Sequence, residues 1–180
     1  MATAPPERLR LFFALFPDAP ARAALSRVAH EVARDGQGRA PRDANLHLTL
    51  AFIGEVPQAR VQELLRVGNE IALATPWFAI TFDRIGGGSY RIAWITPPDV
   101  PEPLHALHAK LAEALATAGF QLQQQMFRPH ITLARDCVRS AHRGRIAPIQ
   151  WNVQRLSLVA STLARGGAEY REVDGWSLGA

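Results

Sequence analysis

The chain has 180 residues but a single cysteine, a single lysine and no apolar run long enough to cross a bilayer. Cys137 stands alone, which excludes an internal disulfide and suits a reducing compartment. No cysteine, histidine and carboxylate cluster has the spacing of a structural zinc site. Leu9 to Phe16 is apolar but brief, stops at Pro17-Asp18, and lacks the cleavage site of a secretion signal. It reads as a buried strand. Nothing else approaches the ~18 uninterrupted apolar residues of a membrane span, so a soluble, cytoplasmic protein without a membrane partner is expected. A Gly-x-Ser-x-Gly elbow is absent, which leaves serine hydrolase chemistry without support. Gly86-Gly87-Gly88 lacks the Lys-Ser/Thr that follows a phosphate-binding loop and reads as a hairpin turn.

What is present is enough apolar material for a core, 48% of residues, and a net charge of +4. Every basic residue except Lys110 is an arginine. The guanidinium fork suits phosphate, although a GC-rich genome produces the same bias with no function attached. The length fits one domain over residues 1–180 built of two lobes that share a core.

After five or six residues expected to be disordered, Arg8 to Phe16 is the first predicted strand. A helix follows from Pro17-Asp18-Ala19-Pro20 to about Arg34, with Ala21, Leu25, Val28 and Val32 as its apolar stripe, ended by Asp35-Gly36-Gln37-Gly38. Asn45 to Ile53 is a strand closed by Gly54, and Pro57 opens a helix that turns Val61, Leu64, Leu65 and Ile71 inward. Trp77 to Ile85 and Tyr90 to Ile95 form a strand pair across the three glycines. A third helix, Pro103 to Ala118, carries Leu104, Leu107, Leu111 and Leu115 on one stripe. Strands are expected at Phe120 to Gln124, Phe127 to Ala134, Trp151 to Thr162 and Tyr170 to Leu178, the last two joined at Arg165-Gly166-Gly167. Asp136 to Ala147 reads as a mobile polar loop. The expectation is an α+β fold: two antiparallel sheets in a pseudo-twofold arrangement, helices outside, each sheet giving one motif to a central cleft.

Those motifs are His47-Leu48-Thr49-Leu50 and His130-Ile131-Thr132-Leu133, with the histidines 83 positions apart. In a strand, period-two geometry turns the histidine and threonine of each motif to the same face. One such His-x-Thr is an ordinary strand feature, since threonine favours strands and histidine often bonds a carbonyl there. Two copies weaken that ordinary reading and set a functional pair beside it. Metal binding suits them poorly, because catalytic zinc takes three protein ligands and neither Asp43 nor Asp136 makes a ligand-like repeat. Acid-base chemistry fits better: near pH 7 one imidazole accepts a proton while the other donates one. Phosphodiester cleavage needs that pairing, and the hydroxyls of Thr49 and Thr132 would serve the phosphoryl oxygens.

With their flanks, Asn45 to Gly54 and Arg128 to Arg135, and with the opening Arg10 to Leu15, these segments resemble the two-histidine phosphoesterase superfamily. Within it the chain closely resembles the bacterial and archaeal RNA 2',3'-cyclic phosphodiesterases, also called 2'-5' RNA ligases. Leu158, Ser161, Gly167, Tyr170 and Trp176 carry the resemblance to the C-terminus. The resemblance implies a two-lobed α+β fold and hydrolysis of a 2',3'-cyclic phosphate to a 2'-phosphomonoester without metal or cofactor. It assigns His47 and His130 as the catalytic pair, with His130 activating water and His47 protonating the departing 3' oxygen. Thr49, Thr132 and Arg135 would bind phosphate, although strand parity turns Arg135 away from His130. Phe52 has the same parity problem and suits either core packing or base stacking. Tyr90 and Trp94 share a strand face and carry the same two options. Arg128, Arg139, Arg143 and Arg145 are candidates for positive potential at the cleft mouth. His30, His105 and His108 are read as structural or surface residues. The partners implied are RNA ends or nucleotides carrying 2',3'-cyclic phosphate, tRNA fragments among them, bound by a monomer. The alternatives are 2'-5' end-joining of RNA and a nucleotide- or RNA-binding module.

Overall fold

The computed structural model describes residues 7–87, 91–122, 126–139, 144–164 and 167–179. Its elements run β1 (Arg8–Leu15), α1 (Ala19–Gly36), β2 (Leu48–Pro57), α2 (Val61–Leu73), β3 (Phe78–Gly87), β4 (Ala93–Thr96) and α3 (Glu102–Thr117). Then follow β5 (Ile131–Ala134), β6 (Gly144–Val153), β7 (Arg155–Ala164) and β8 (Gly167–Ser177). Among the described residues the strands form one antiparallel sheet in the order β6-β3-β4-β5-β2-β1-β7-β8. The two expected sheets are therefore two four-stranded halves joined edge to edge, and the join is the single pair Leu48–Ile131.

The halves of the sheet are not the halves of the sequence. β7 and β8 return from the C-terminus to lie beside β1, while β3 to β6 build the other lobe. Helix α1 likewise leaves β1 and packs on β5 and β6 across the seam, whereas α2 packs on β7 and β8. α3 lies against α2 and β2.

Local chemistry explains these elements. Asp18 caps α1, its carboxylate accepting from the Ala21 amide at 2.9 Å, with Pro20 in the first turn. The helix closes with Gln37 in the left-handed region (φ 51°), while Gly36 stays helical and buried. α3 buries Leu104, Leu107, Leu111 and Leu115 completely, as the stripe predicts, and each such leucine contributes about 1.5–3 kcal/mol of burial. Along β1, Leu11, Phe13 and Leu15 enter the main core, while Phe12 and Ala14 join Val159 in a small separate cluster flanked by Phe16 and Tyr170.

Three expectations need correction. Gly144 to Ala147 belongs to β6, paired to β3, rather than to a loop. Trp151 to Thr162 is two strands in different lobes: the alternation of buried residues breaks at the exposed Gln154-Arg155 pair, where the chain crosses. Gly119, Phe120, Gln121 and Leu122 form no strand. The N-terminal residues, Gly88, Tyr90, residues 123–125, residues 140–143 and the Arg165-Gly166 turn lie outside the described residues.

Candidate active site

Both histidines stand one residue before their strands, at the seam between the lobes. β2 starts at Leu48 and β5 at Ile131, and these two residues pair. The turns that deliver the histidines are built alike. His47 Nδ1 lies 2.7 Å from the Asn45 carbonyl oxygen, and His130 Nδ1 lies 2.8 Å from that of Arg128. A carbonyl only accepts, so Nδ1 carries the hydrogen in each ring. Nε2 is left as the atom that takes or gives a proton.

The environments differ. His47 sits within ring-packing distance of Phe12, Phe16 and Tyr170, at centroid separations of 5.3, 5.6 and 5.1 Å. Burial holds its proton affinity below the ordinary imidazole range; the bond to Asn45 partly opposes this, and the charges of Arg135 and His130 reinforce it. His130 is exposed, with the Trp94 indole edge-on at 6.5 Å. Thr49 and Thr132 are half-buried, two residues beyond their histidines.

The parity problem of Arg135 and Phe52 is resolved by a matched pair of bulges. Ala93 pairs with Ala134 but Trp94 with Thr132, so Leu133 is an extra residue in β5. Phe13 pairs with Ala51 but Ala14 with Thr49, so Leu50 is the extra residue in β2. Leu133-Ala134 and Leu50-Ala51 are accordingly consecutive buried pairs. Each bulge restores the residue five places after the histidine to the cleft face. Arg135 thus lines the cleft beside His130 and Thr132, and Phe52 occupies the equivalent place in the other lobe. Phe52 is not in the core: it is 38% exposed, with the Arg10 guanidinium 4.9 Å from its ring centroid.

Two cavities meet at Thr49, His130, Thr132 and Arg135. The larger, about 670 Å³, is walled by Phe52, Ile92, Trp94, His108, Phe127 and Arg128. The smaller, about 290 Å³, also takes in His47, Asn45, Arg39, Arg42, Glu169 and Tyr170. Trp94 is therefore a cleft residue, whereas Tyr90 lies outside the described residues. His108, read from sequence as structural, is stacked on Phe127 at 3.9 Å in the larger cavity, held below the usual imidazole range by burial and then by His105. Its contact with Phe127, 19 positions on, leaves no sequence signal. Arg145 is not at the cleft: it bonds the buried Asp83 at 2.8 Å on the β3–β6 face. Arg139 lines neither cavity, and Arg143 lies outside the described residues. Among the described residues, the arginines that join Arg135 and Arg128 at the cleft are Arg39 and Arg42, from the connection between α1 and β2. Among the described residues no three His, Cys, Asp or Glu side chains gather as a metal site.

The profile of the 2'-5' RNA ligase superfamily matches residues 16–164. The chain belongs to this superfamily. Superfamily relatives include an RNA 2',3'-cyclic phosphodiesterase of Escherichia coli, 33% identical, with 96% of this chain and 98% of the relative aligned. One of the same name from Thermus thermophilus is 32% identical over 94% of this chain and 90% of its own length. Among solved structures, E. coli LigT in complex with 3'-AMP superposes with a TM-score of 0.84 at 31% identity, covering 96% of this chain and 99% of that one. The curled antiparallel sheet with few helices is the architecture these superfamily structures share.

Proposed function

We propose that this chain hydrolyses the 2',3'-cyclic phosphate at the end of an RNA or nucleotide to a 2'-phosphomonoester, by proton transfer between His47, His130 and the reacting oxygens. The observation that carries the reading is the matched pair of Nδ1–carbonyl bonds, 2.7 and 2.8 Å, which reserves both Nε2 atoms for chemistry. The relatives' names supply the substrate class.

Thr49 and Thr132 donate to the nonbridging phosphoryl oxygens and Arg135 adds its positive charge. His130 takes a proton from water as the water oxygen bonds phosphorus. The bond from phosphorus to the 3' oxygen breaks, and His47 delivers a proton to that oxygen. Burial leaves His47 neutral in the empty cleft at neutral pH; the entering phosphate anion opposes that effect and loads Nε2 with the proton it delivers. No step draws on a metal ion.

A product-resolved assay on 2',3'-cyclic nucleotides tests this. Turnover should persist in chelator and give the 2'-monophosphate. Either His47→Ala or His130→Ala should cost ~10²–10⁴-fold in rate with folding retained. The 3'-isomer as product would overturn the leaving-group assignment, and near-normal activity in both variants would reject the pair. End-joining through a 2'-5' linkage is the second reading, favoured by the superfamily's description. It uses the same proton transfers with a 5'-hydroxyl in place of water: His130 takes its proton as the 5' oxygen bonds phosphorus, and His47 protonates the departing 3' oxygen.

A further inference from the structure

Hydrolysis of a cyclic mononucleotide needs the two histidines, the phosphate ligands and one cavity for the nucleoside. The larger cavity, with Phe52, Trp94 and Phe127 in its wall, suits a base and ribose. The smaller one is left over by that account. It opens on the same Thr49, His130, Thr132 and Arg135 and has a different chemistry. Its cationic lining is Arg39, Arg42 and Arg135 against one carboxylate, Glu169.

The two extra arginines are held differently. Arg39 is fixed at its backbone by paired amide–carbonyl bonds with Arg135, 2.8 and 2.9 Å, and at its guanidinium by Asp136. Arg42 is only loosely committed: its nearest carboxylate oxygen, on Glu169, is 3.9 Å away, and its side chain is 74% exposed. A guanidinium so placed is available to a phosphate at little cost in broken bonds.

We propose that this arginine-lined cavity is a subsite for the sugar–phosphate backbone of a second nucleotide adjoining the cyclic phosphate. The proposal rests on the phosphodiesterase reading above and extends it from a nucleotide to a chain. A mononucleotide leaves the cavity empty; an RNA with a further nucleotide next to the reacting end places that nucleotide's phosphate against Arg42. Two sources share that chemistry: the upstream nucleotide of the same strand, or the first nucleotide of an RNA presenting its 5'-hydroxyl for joining.

The test compares the full chain with Arg42→Ala and Arg42→Lys on three substrates: a 2',3'-cyclic mononucleotide, a short RNA ending in a cyclic phosphate, and that RNA with a 5'-hydroxyl acceptor. Equilibrium binding of the RNA is measured in parallel. Arg42→Ala should leave the mononucleotide nearly unchanged, lower kcat/KM on RNA about 10-fold, as for a lost bond to a charged group, and reduce the salt slope of RNA binding by about one. Arg42→Lys should recover the salt slope and only part of the rate. A fall in RNA hydrolysis assigns the phosphate to the same strand; a fall confined to joining assigns it to the acceptor. An equal loss on the mononucleotide, or no loss in either RNA arm, overturns the subsite. If the wild-type protein turns over none of these substrates while Arg42→Ala still weakens RNA binding, the hydrolase reading fails and the subsite stands.

Discussion

Leu48 and Ile131 are the one residue pair joining β2 to β5 among the described residues, and each immediately follows a catalytic candidate. Both side chains are fully buried. The spacing of His47 and His130 therefore depends on one rung of the sheet and the packing beneath it. Leu48→Ala should destabilise the protein by about 2–5 kcal/mol, the usual cost of a leucine-sized cavity. It should also lower kcat on a cyclic nucleotide at temperatures where the variant is still folded. Denaturant titration with parallel kinetics checks this; an unchanged kcat would show that the seam does not set the histidine geometry.

Gly38 is a second point of control. A Cβ there would meet the Arg135 carbonyl oxygen at 2.6 Å and the Cys137 sulfur at 2.8 Å, and the first of these is backbone at the edge of the site. Gly38→Ala should push the connection after α1 away from β5 and disturb the Arg39–Arg135 bridge. Lower thermal stability and a raised KM are expected together. A variant with wild-type melting and kinetics would count against this.

Arg135 lowers the proton affinity of His47 through its charge, in addition to the phosphate contact proposed for it. Replacing Arg135 with Gln should raise the His47 pKa, read as an imidazole titration by NMR, while burial still keeps it below the ordinary value. A fall or no movement would place Arg135 too far from His47 for the shared site.

Stability should depend on pH through His47 and His108, both lowered by burial in the folded chain. Between each folded pKa and the unfolded value near 6.5, the unfolded chain binds more protons than the folded one. Stability is then complete above about pH 6.5 and is lost as pH falls through that window. Denaturation midpoints should decline from pH 7.5 to 5, and less steeply in His108→Gln. An equal slope in that variant would remove His108 from the account.

Much of the site is legible in sequence because its determinants are local. His-x-Thr, the carbonyl two residues back and the strand that follows all sit within six residues, so His47, Thr49, His130 and Thr132 can be named from pattern alone. Arg135 and Phe52 resist that logic because period-two counting fails across a bulge; the adjacent apolar pairs Leu50-Ala51 and Leu133-Ala134 are the only trace. Arg39, Arg42 and His108 resist it because long-range packing brings them in, from a connection whose place is fixed by Gly38 and from a helix whose apolar stripe faces elsewhere. The same limit hid the crossing at Gln154, since two strands of similar alternation read as one until the lobes they serve are known.

The return of β7 to the flank of β1 also has a kinetic side. β1 has β2 on one edge and β7 on the other, so its second edge stays open until the C-terminal hairpin has been made. Contacts of such sequence separation form late and slowly. A chain caught short of β7 would hold both histidine motifs and still lack Tyr170, one of the three rings packed on His47. RNA-end chemistry should thus appear only once β7 has paired with β1, which makes activity itself a reporter of that late pairing.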